Sequence, residues 1–232
     1  MNSKEKTVRI LGGMGPEATV NLFDRIVKLT PAKKDQDHLK IIIINDPKIP
    51  DRTSAIMEGK ESPIASIQSG LHTLCDLGAE IIIIPCVSSH YFFDEFQVPS
   101  NVVLLNILHE TVKHTINHLR GVKKVAVLAT DLTLSKNLFG NLFASHGIIT
   151  IYPSSIEQKE IVMKSIYQIK GGEHKRPRKQ LKIAANKLII EGAQAIVAGC
   201  TEVPLSLRPS DIAVPLINTI DCLAVAVVRE AL

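Results

Sequence analysis

The 232-residue chain has no tryptophan, and its aromatic residues together make up only 4% of it. Its interior must therefore be aliphatic, which a hydrophobic content of 45% allows. No apolar run approaches the ~18–20 residues of a membrane-spanning helix, so no membrane role is expected. The first residues, MNSKEKTVRI, pass straight into a strand-like run without a secretory-signal pattern. The expected location is cytoplasmic. Cys75, Cys86, Cys200 and Cys222 form neither CxxC metal pairs nor a disulfide framework, and cytosolic thiols stay reduced. His109, His114 and His118 lack the partners that would complete a metal set. A net charge of +4 is small for this length; it suits small anions and is weak evidence for nucleic acid, so neither a metal nor a nucleic-acid partner is expected.

What the chain does have is centred on Gly78–His90, GAEIIIIPCVSSH. Ile81 to Ile84 form an unbroken β-branched run, the pattern of a parallel strand covered on both faces. Pro85 ends it, and Cys86 follows at the carboxyl end, where open α/β sheets bind ligands. A second stretch, GAQAIVAGCTE at 192–202, repeats the arrangement. The interval from Gly78 to Cys86 equals that from Gly192 to Cys200, and the flanks VPSNVVLLNI and RPSDIAVPLINTI also correspond. This reads as an internal duplication, each half offering one cysteine from an equivalent strand end to a shared cleft. Two unrelated α/β units of similar composition are the alternative.

Other elements follow in order. A strand over 7–11 leads into Gly12-Gly13-Met14-Gly15, and Pro16 suits the first turn of a helix. Residues 13–18 loosely satisfy the dinucleotide pattern GxGxx(G/A), but Asp35 and Asp37 precede the second strand, 40–45, instead of ending it, so a nicotinamide oxidoreductase is the weakest reading. Arg52 lies in a loop, as a candidate for bidentate capture of a carboxylate or as a plain surface cation. Further strands are expected over 102–105, 124–129, 148–152, 195–199 and 214–217. Helices are expected over 62–77, 108–119, 156–170 and 182–191 and from about 220. The basic run 174–179, HKRPRK, lacks interleaved aromatics and reads more readily as a solvated loop than as a phosphate- or RNA-binding run.

A cysteine between a strand and a helix N-terminus is expected to have a depressed pKa. Cys86 and Cys200 share that setting; Cys75 and Cys222 fall within helices. Two thiol groups on opposite sides of one carbon can invert it: a thiolate removes a proton from one face while a thiol returns one to the other. No metal, pyridoxal phosphate or nicotinamide is needed. Spacing alone equally admits one nucleophilic cysteine and one structural cysteine.

LGGMGPEAT (11–19), PDRT (50–53), PCVSSHYFFDEF (85–96), VLATDLT (127–133), IYQIKGG (166–172) and GCTEVPL (199–205) together resemble the cofactor-independent aspartate/glutamate racemase family, within the Asp/Glu/hydantoin racemase superfamily. They run through nearly the whole chain in family order. The resemblance implies two pseudo-symmetric α/β lobes, 1–108 with 210–232 and 109–209, each a mainly parallel sheet flanked by helices, with the active site in the cleft between them. It also implies a homodimer, no cofactor and an acidic amino acid as substrate, aspartate before glutamate. Cys86 and Cys200 become the two acid/base residues. Arg52 and Lys170 would hold the distal carboxylate, Met14 would line the site, and Ser88, Thr130 and Thr201 would bind the α-carboxylate and amino group. His90 and Glu202 would flank the cysteines in an orienting role. Val87 stands where the family usually has asparagine, and Leu132 where glycine is common; both bear on specificity more than on reaction type. Val87 also favours an alternative reaction on the same fold, isomerisation or decarboxylation of a diacid through one cysteine. A non-catalytic anion-binding domain is the remaining alternative.

Overall fold

A computed structural model of the chain describes residues 5–232. It divides into two compact units, Met1–Glu110 with Ile220–Leu232, and Thr111–Thr219. The first unit contains β1 (Val8–Gly12), α1 (Pro16–Leu29), β2 (Ile41–Asn45), α2 (Arg52–Met57), α3 (Ile64–Asp76), β3 (Ile81–Ile83) and β4 (Val103–Leu104), and α4 (Ile107–His118) leads out of it. Its strands pair in parallel in the order β2-β1-β3-β4. Both β1 and β3 are buried at every residue, as their unbroken apolar runs require. Pro16 opens α1, where its missing N–H is no loss, and Ala18, Thr19, Leu22 and Ile26 form the buried stripe of that helix. Leu11, Ile67, Leu71, Leu74, Ile82 and Ile84 pack together in a core that also contains Met14 and Cys86.

The second unit contains β5 (Lys124–Leu128), α5 (Asp131–Ser135), α6 (Gly140–Ala144), β6 (Ile149–Ile151), α7 (Ser155–Glu157), α8 (Lys164–Lys170), α9 (Lys175–Ile190), β7 (Ala195–Ala198), α10 (Val203–Ser206) and β8 (Leu216–Asn218), and α11 (Thr219–Ala231) closes the chain. The strand order is β6-β5-β7-β8, again all parallel, which repeats the first sheet strand for strand.

The repetition extends to hydrogen bonds. Gly78 and Gly192 both have positive φ, +75° and +96°, and end α3 and α9 alike. The N–H of Ala79 donates to the Leu74 carbonyl at 3.2 Å, and that of Ala193 to the Leu188 carbonyl at 3.0 Å. Glu80 then accepts the Thr7 N–H at 2.8 Å, and Gln194 accepts the Lys123 N–H at 2.6 Å. A side chain one residue before the third strand thus caps the residue before the first strand in each half.

Four features differ from the sequence expectation. The last expected boundary, 209/210, falls at Thr219/Ile220. The reason is β8, which pairs with β7 from Ile196↔Leu216 to Ala198↔Asn218 and so keeps this stretch with the second sheet. The other boundary, expected at 108/109, falls two residues later inside α4. The basic run at 174–179 opens α9 instead of forming a loop. Pro177 sits within its first turn, which tolerates proline, and Arg178 donates through Nε and Nη2 to the two Asp211 oxygens at 2.9 and 2.8 Å. Finally, the single helix expected over 156–170 is interrupted by a π turn, Gln158–Met163.

Candidate active site

In the first unit the site residues gather at the carboxyl ends of β1, β2 and β3. Gly13 follows β1 with φ +97°, and a Cβ there would come within 2.3 Å of the Asp46 backbone, so only glycine fits. Its N–H donates to Thr19 Oγ1 at 3.0 Å, and the Thr19 hydroxyl donates to the Gly15 carbonyl at 3.0 Å. Met14, in the same loop, is buried in the apolar cluster that includes Cys86. Asp51 caps α2 by accepting the Ser54 N–H at 2.9 Å, which places Arg52 as the first helical residue. Arg52 is only 7% exposed, so it is not a surface loop cation. Its Nη2 donates to the Met14 carbonyl at 3.1 Å, and its Nη1 to the Pro50 and Ile49 carbonyls at 3.0 and 3.4 Å. One guanidinium therefore ties the loop after β1 to the loop after β2.

Cys86 lies just beyond β3 and is buried. Its carbonyl accepts from Ser89 Oγ at 2.7 Å and from His90 Nδ1 at 2.8 Å. The other ring nitrogen of His90, Nε2, accepts the Ile107 N–H at 3.3 Å. This pairing defines a neutral imidazole. Burial pushes the His90 pKa down to about 4, and hydrogen bonds to the Cys86 and Leu105 carbonyls oppose that only in part. His90 is thus a neutral brace between the Cys86 loop and the start of α4. Val87 and Ser88 are buried beside it, at the opening of a 3₁₀ turn, Ser88–Glu95.

In the second unit Thr130 ends the run from β5 and caps α5, its Oγ1 accepting the Thr133 N–H at 3.4 Å. Cys200 follows β7 and is buried. Its thiol donates to Glu202 Oε2 at 2.9 Å, and the Thr201 hydroxyl donates to the same oxygen at 3.2 Å. Burial pushes the Cys200 pKa well up; the negative charge of Glu202 and its acceptance of the S–H add to this, and the charge of Lys170 opposes it. The depressed pKa expected from a strand-to-helix setting is therefore reversed at Cys200, because a carboxylate and desolvation outweigh the short helix that follows. Lys170 is the exposed last residue of α8, with its Nζ 5.1 Å from the Tyr167 ring centroid.

Met14, Arg52, Cys86, Ser88 and His90 belong to the first unit, and Thr130, Lys170, Cys200, Thr201 and Glu202 to the second. Glu202 contacts the cysteine sulfur directly, whereas His90 contacts only the Cys86 backbone. Sequence reading missed Thr19, which had a usable signal, a hydroxyl one helical turn after Gly15. Chemically, the first unit offers a buried thiol and a buried cation fixed to the Met14 loop, and the second a buried thiol hydrogen-bonded to a carboxylate.

A family model described as Asp/Glu/hydantoin racemase matches residues 11–227. A broad specificity amino-acid racemase from Bacillus subtilis is 29% identical over 231 residues, covering 97% of this chain and 98% of the relative. The solved structure of Picrophilus torridus aspartate racemase superposes with a TM-score of 0.89 at 32% identity, covering 97% of this chain and 94% of that one. Glutamate racemase from Francisella tularensis, solved with D-glutamate, has a TM-score of 0.65 at 17% identity over 97% of this chain and 81% of that one, a likeness of fold alone.

Proposed function

Because the chain belongs to the Asp/Glu/hydantoin racemase family, and is an amino-acid racemase of that family, we propose that it interconverts the enantiomers of an acidic amino acid, aspartate first and glutamate second, by proton transfer between two cysteines and the α-carbon. The observation that carries the mechanism is the hydrogen bond between the buried Cys200 and Glu202. It keeps Cys200 as a thiol, the form able to deliver a proton. Cys86 is then the group that removes one from the opposite face. Glu202 receives or returns the Cys200 proton as the direction reverses, which makes it a proton acceptor for the sulfur.

Arg52 and Lys170 supply cationic partners for the distal carboxylate, with the Arg52 fan of donors setting the loop geometry around Met14. The backbone N–H groups following each cysteine, with Ser88, Thr130 and Thr201, are the donors for the α-carboxylate, whose negative charge grows as the proton leaves. A homodimer and a cytoplasmic location belong to the same reading; the homodimer rests on the family resemblance.

The test is solvent exchange. L-aspartate incubated with the protein in deuterium oxide is expected to take deuterium at Cα as D-aspartate accumulates. Cys86→Ala and Cys200→Ala should each lower racemisation by about 10²–10⁴-fold. Full activity in either variant sinks the two-cysteine mechanism. A wider substrate range is the second reading: Val87 is buried beside Cys86 where the family usually has asparagine, and the Bacillus subtilis relative is named a broad specificity enzyme. Comparable turnover of neutral and acidic amino acids would favour it.

A further inference from the structure

The helical run from Ser155 to Lys170 is interrupted by the wider turn of a π-helix over Gln158–Met163. In an α-helix, side chains five residues apart point about 140° away from each other. In a π turn, bonded from i to i+5, they come onto one side. Gln158 and Met163 are five apart, and both reach the same short stretch after β5. Gln158 Nε2 donates to the Ala129 carbonyl at 3.0 Å and to Asp131 Oδ1 at 2.8 Å. Met163 Sδ accepts the Asp131 N–H at 3.3 Å.

Both side chains are more than nine-tenths buried, at 7% and 8% exposure. Two acceptors on one end of the Gln158 amide fix which end is nitrogen. The other end, Oε1, is buried with no hydrogen-bond partner among the described residues. A buried, half-satisfied amide costs stability that an apolar residue of the same length would avoid on that side. Packing alone therefore does not explain a glutamine at this position.

Thr130 lies between the two gripped residues. A peptide unit is planar and trans, so its C=O and the following N–H point in opposite directions. Holding the Ala129 carbonyl against Gln158 turns the Thr130 N–H to the opposite side. We propose that Gln158 is a positioning residue: through the π turn it sets the direction of the Thr130 N–H and hydroxyl, and so the capture of the substrate's α-carboxylate. This rests on the reading above, in which Thr130 binds an acidic amino acid.

Gln158→Met keeps the length of the side chain and removes both donated bonds. The Michaelis constant for L-aspartate is expected to rise at least about tenfold, while kcat stays within about threefold and the melting temperature moves by a few degrees. Acting through the same turn, Gln158→Met combined with Thr130→Ala should be no worse than the worse single variant. Met163→Leu, which keeps the volume and removes the weak acceptor, should raise KM by about twofold. If Gln158→Met does not fold, Gln158→Glu, nearly the same shape but with a carboxylate against two acceptors, carries the same KM expectation.

An unchanged KM in a folded variant overturns the proposal. So do a loss confined to kcat, additive losses with Thr130→Ala, or failure of both Gln158 variants to fold. A wild-type protein that racemises aspartate while its Gln158 variants match it sinks this proposal alone. A wild-type protein that takes up no solvent deuterium on aspartate or glutamate removes the underlying reading as well.

Discussion

The thiol of Cys200 donates a hydrogen bond to Glu202 Oε2 at 2.9 Å, and Thr201 donates to the same oxygen. Glu202→Gln removes the negative charge that holds the Cys200 proton in place, so the thiol should become more acidic. The rate of Cys200 alkylation by iodoacetamide should then rise at a lower pH than in the wild type. Racemisation should fall by about 10–100-fold, because the sulfur loses its proton acceptor. An alkylation profile that does not move would contradict this account of Cys200.

His90 provides a pH test with a defined sign. Its pKa in the folded protein is lowered from 6.5 to about 4 by burial, so the fold prefers the neutral ring. Below the ordinary histidine value the unfolded chain binds a proton that the folded chain does not, and stability falls as pH drops. The loss should accumulate between 6.5 and about 4 and then level off, at about 3 kcal/mol in total. Denaturant titrations across that range should show this slope in the wild type and a shallower one in His90→Gln. An imidazole resonance titrating near 6.5 would refute it.

Arg52→Lys keeps the charge and loses the fork. A single ammonium cannot reproduce the guanidinium's donation to Met14, Pro50 and Ile49. Destabilisation of about 2–4 kcal/mol is expected from the buried carbonyls left unsatisfied, together with a higher KM for aspartate. A lysine variant that melts with the wild type would show that the three bonds are dispensable.

Gly13→Ala tests the loop after β1. The new methyl group would meet the Asp46 backbone in a positive-φ conformation. A loss of at least about 2 kcal/mol is expected from strain and collision combined. Thermal unfolding measures it, and a loss under about 0.5 kcal/mol would mean that the loop can shift without cost.

Much of this arrangement is legible from the chain alone, for physical reasons that differ by element. Buried parallel strands announce themselves because both faces need apolar side chains, as Ile81–Ile83 and Ala195–Ala198 do. Gly78 and Gly192 mark matching helix ends because few other residues accept their φ. Motif residues such as Cys86, Cys200 and Arg52 are recognisable by their neighbours in sequence. The acidity of Cys200 is not, because it depends on which way Glu202 turns, two residues on. Arg52 looked like a loop residue because the carbonyls it serves lie in two separate segments. The basic start of α9 misled through composition: repulsion among its cations disfavours a helix locally, while the buried Leu181, Ala184, Ala185 and Leu188 hold it from the core side.

The two halves of the chain share one topology, yet the residue two places past each cysteine differs, Ser88 in the first and Glu202 in the second. Mirror-image molecules have equal free energy in achiral water, so no enzyme can make one hand accumulate at equilibrium. An unequal pair of neighbours can only divide the kinetics. In the proposed reaction, one enantiomer would saturate the enzyme early and turn over slowly, and its mirror image would bind loosely and turn over fast, with kcat/KM the same for both.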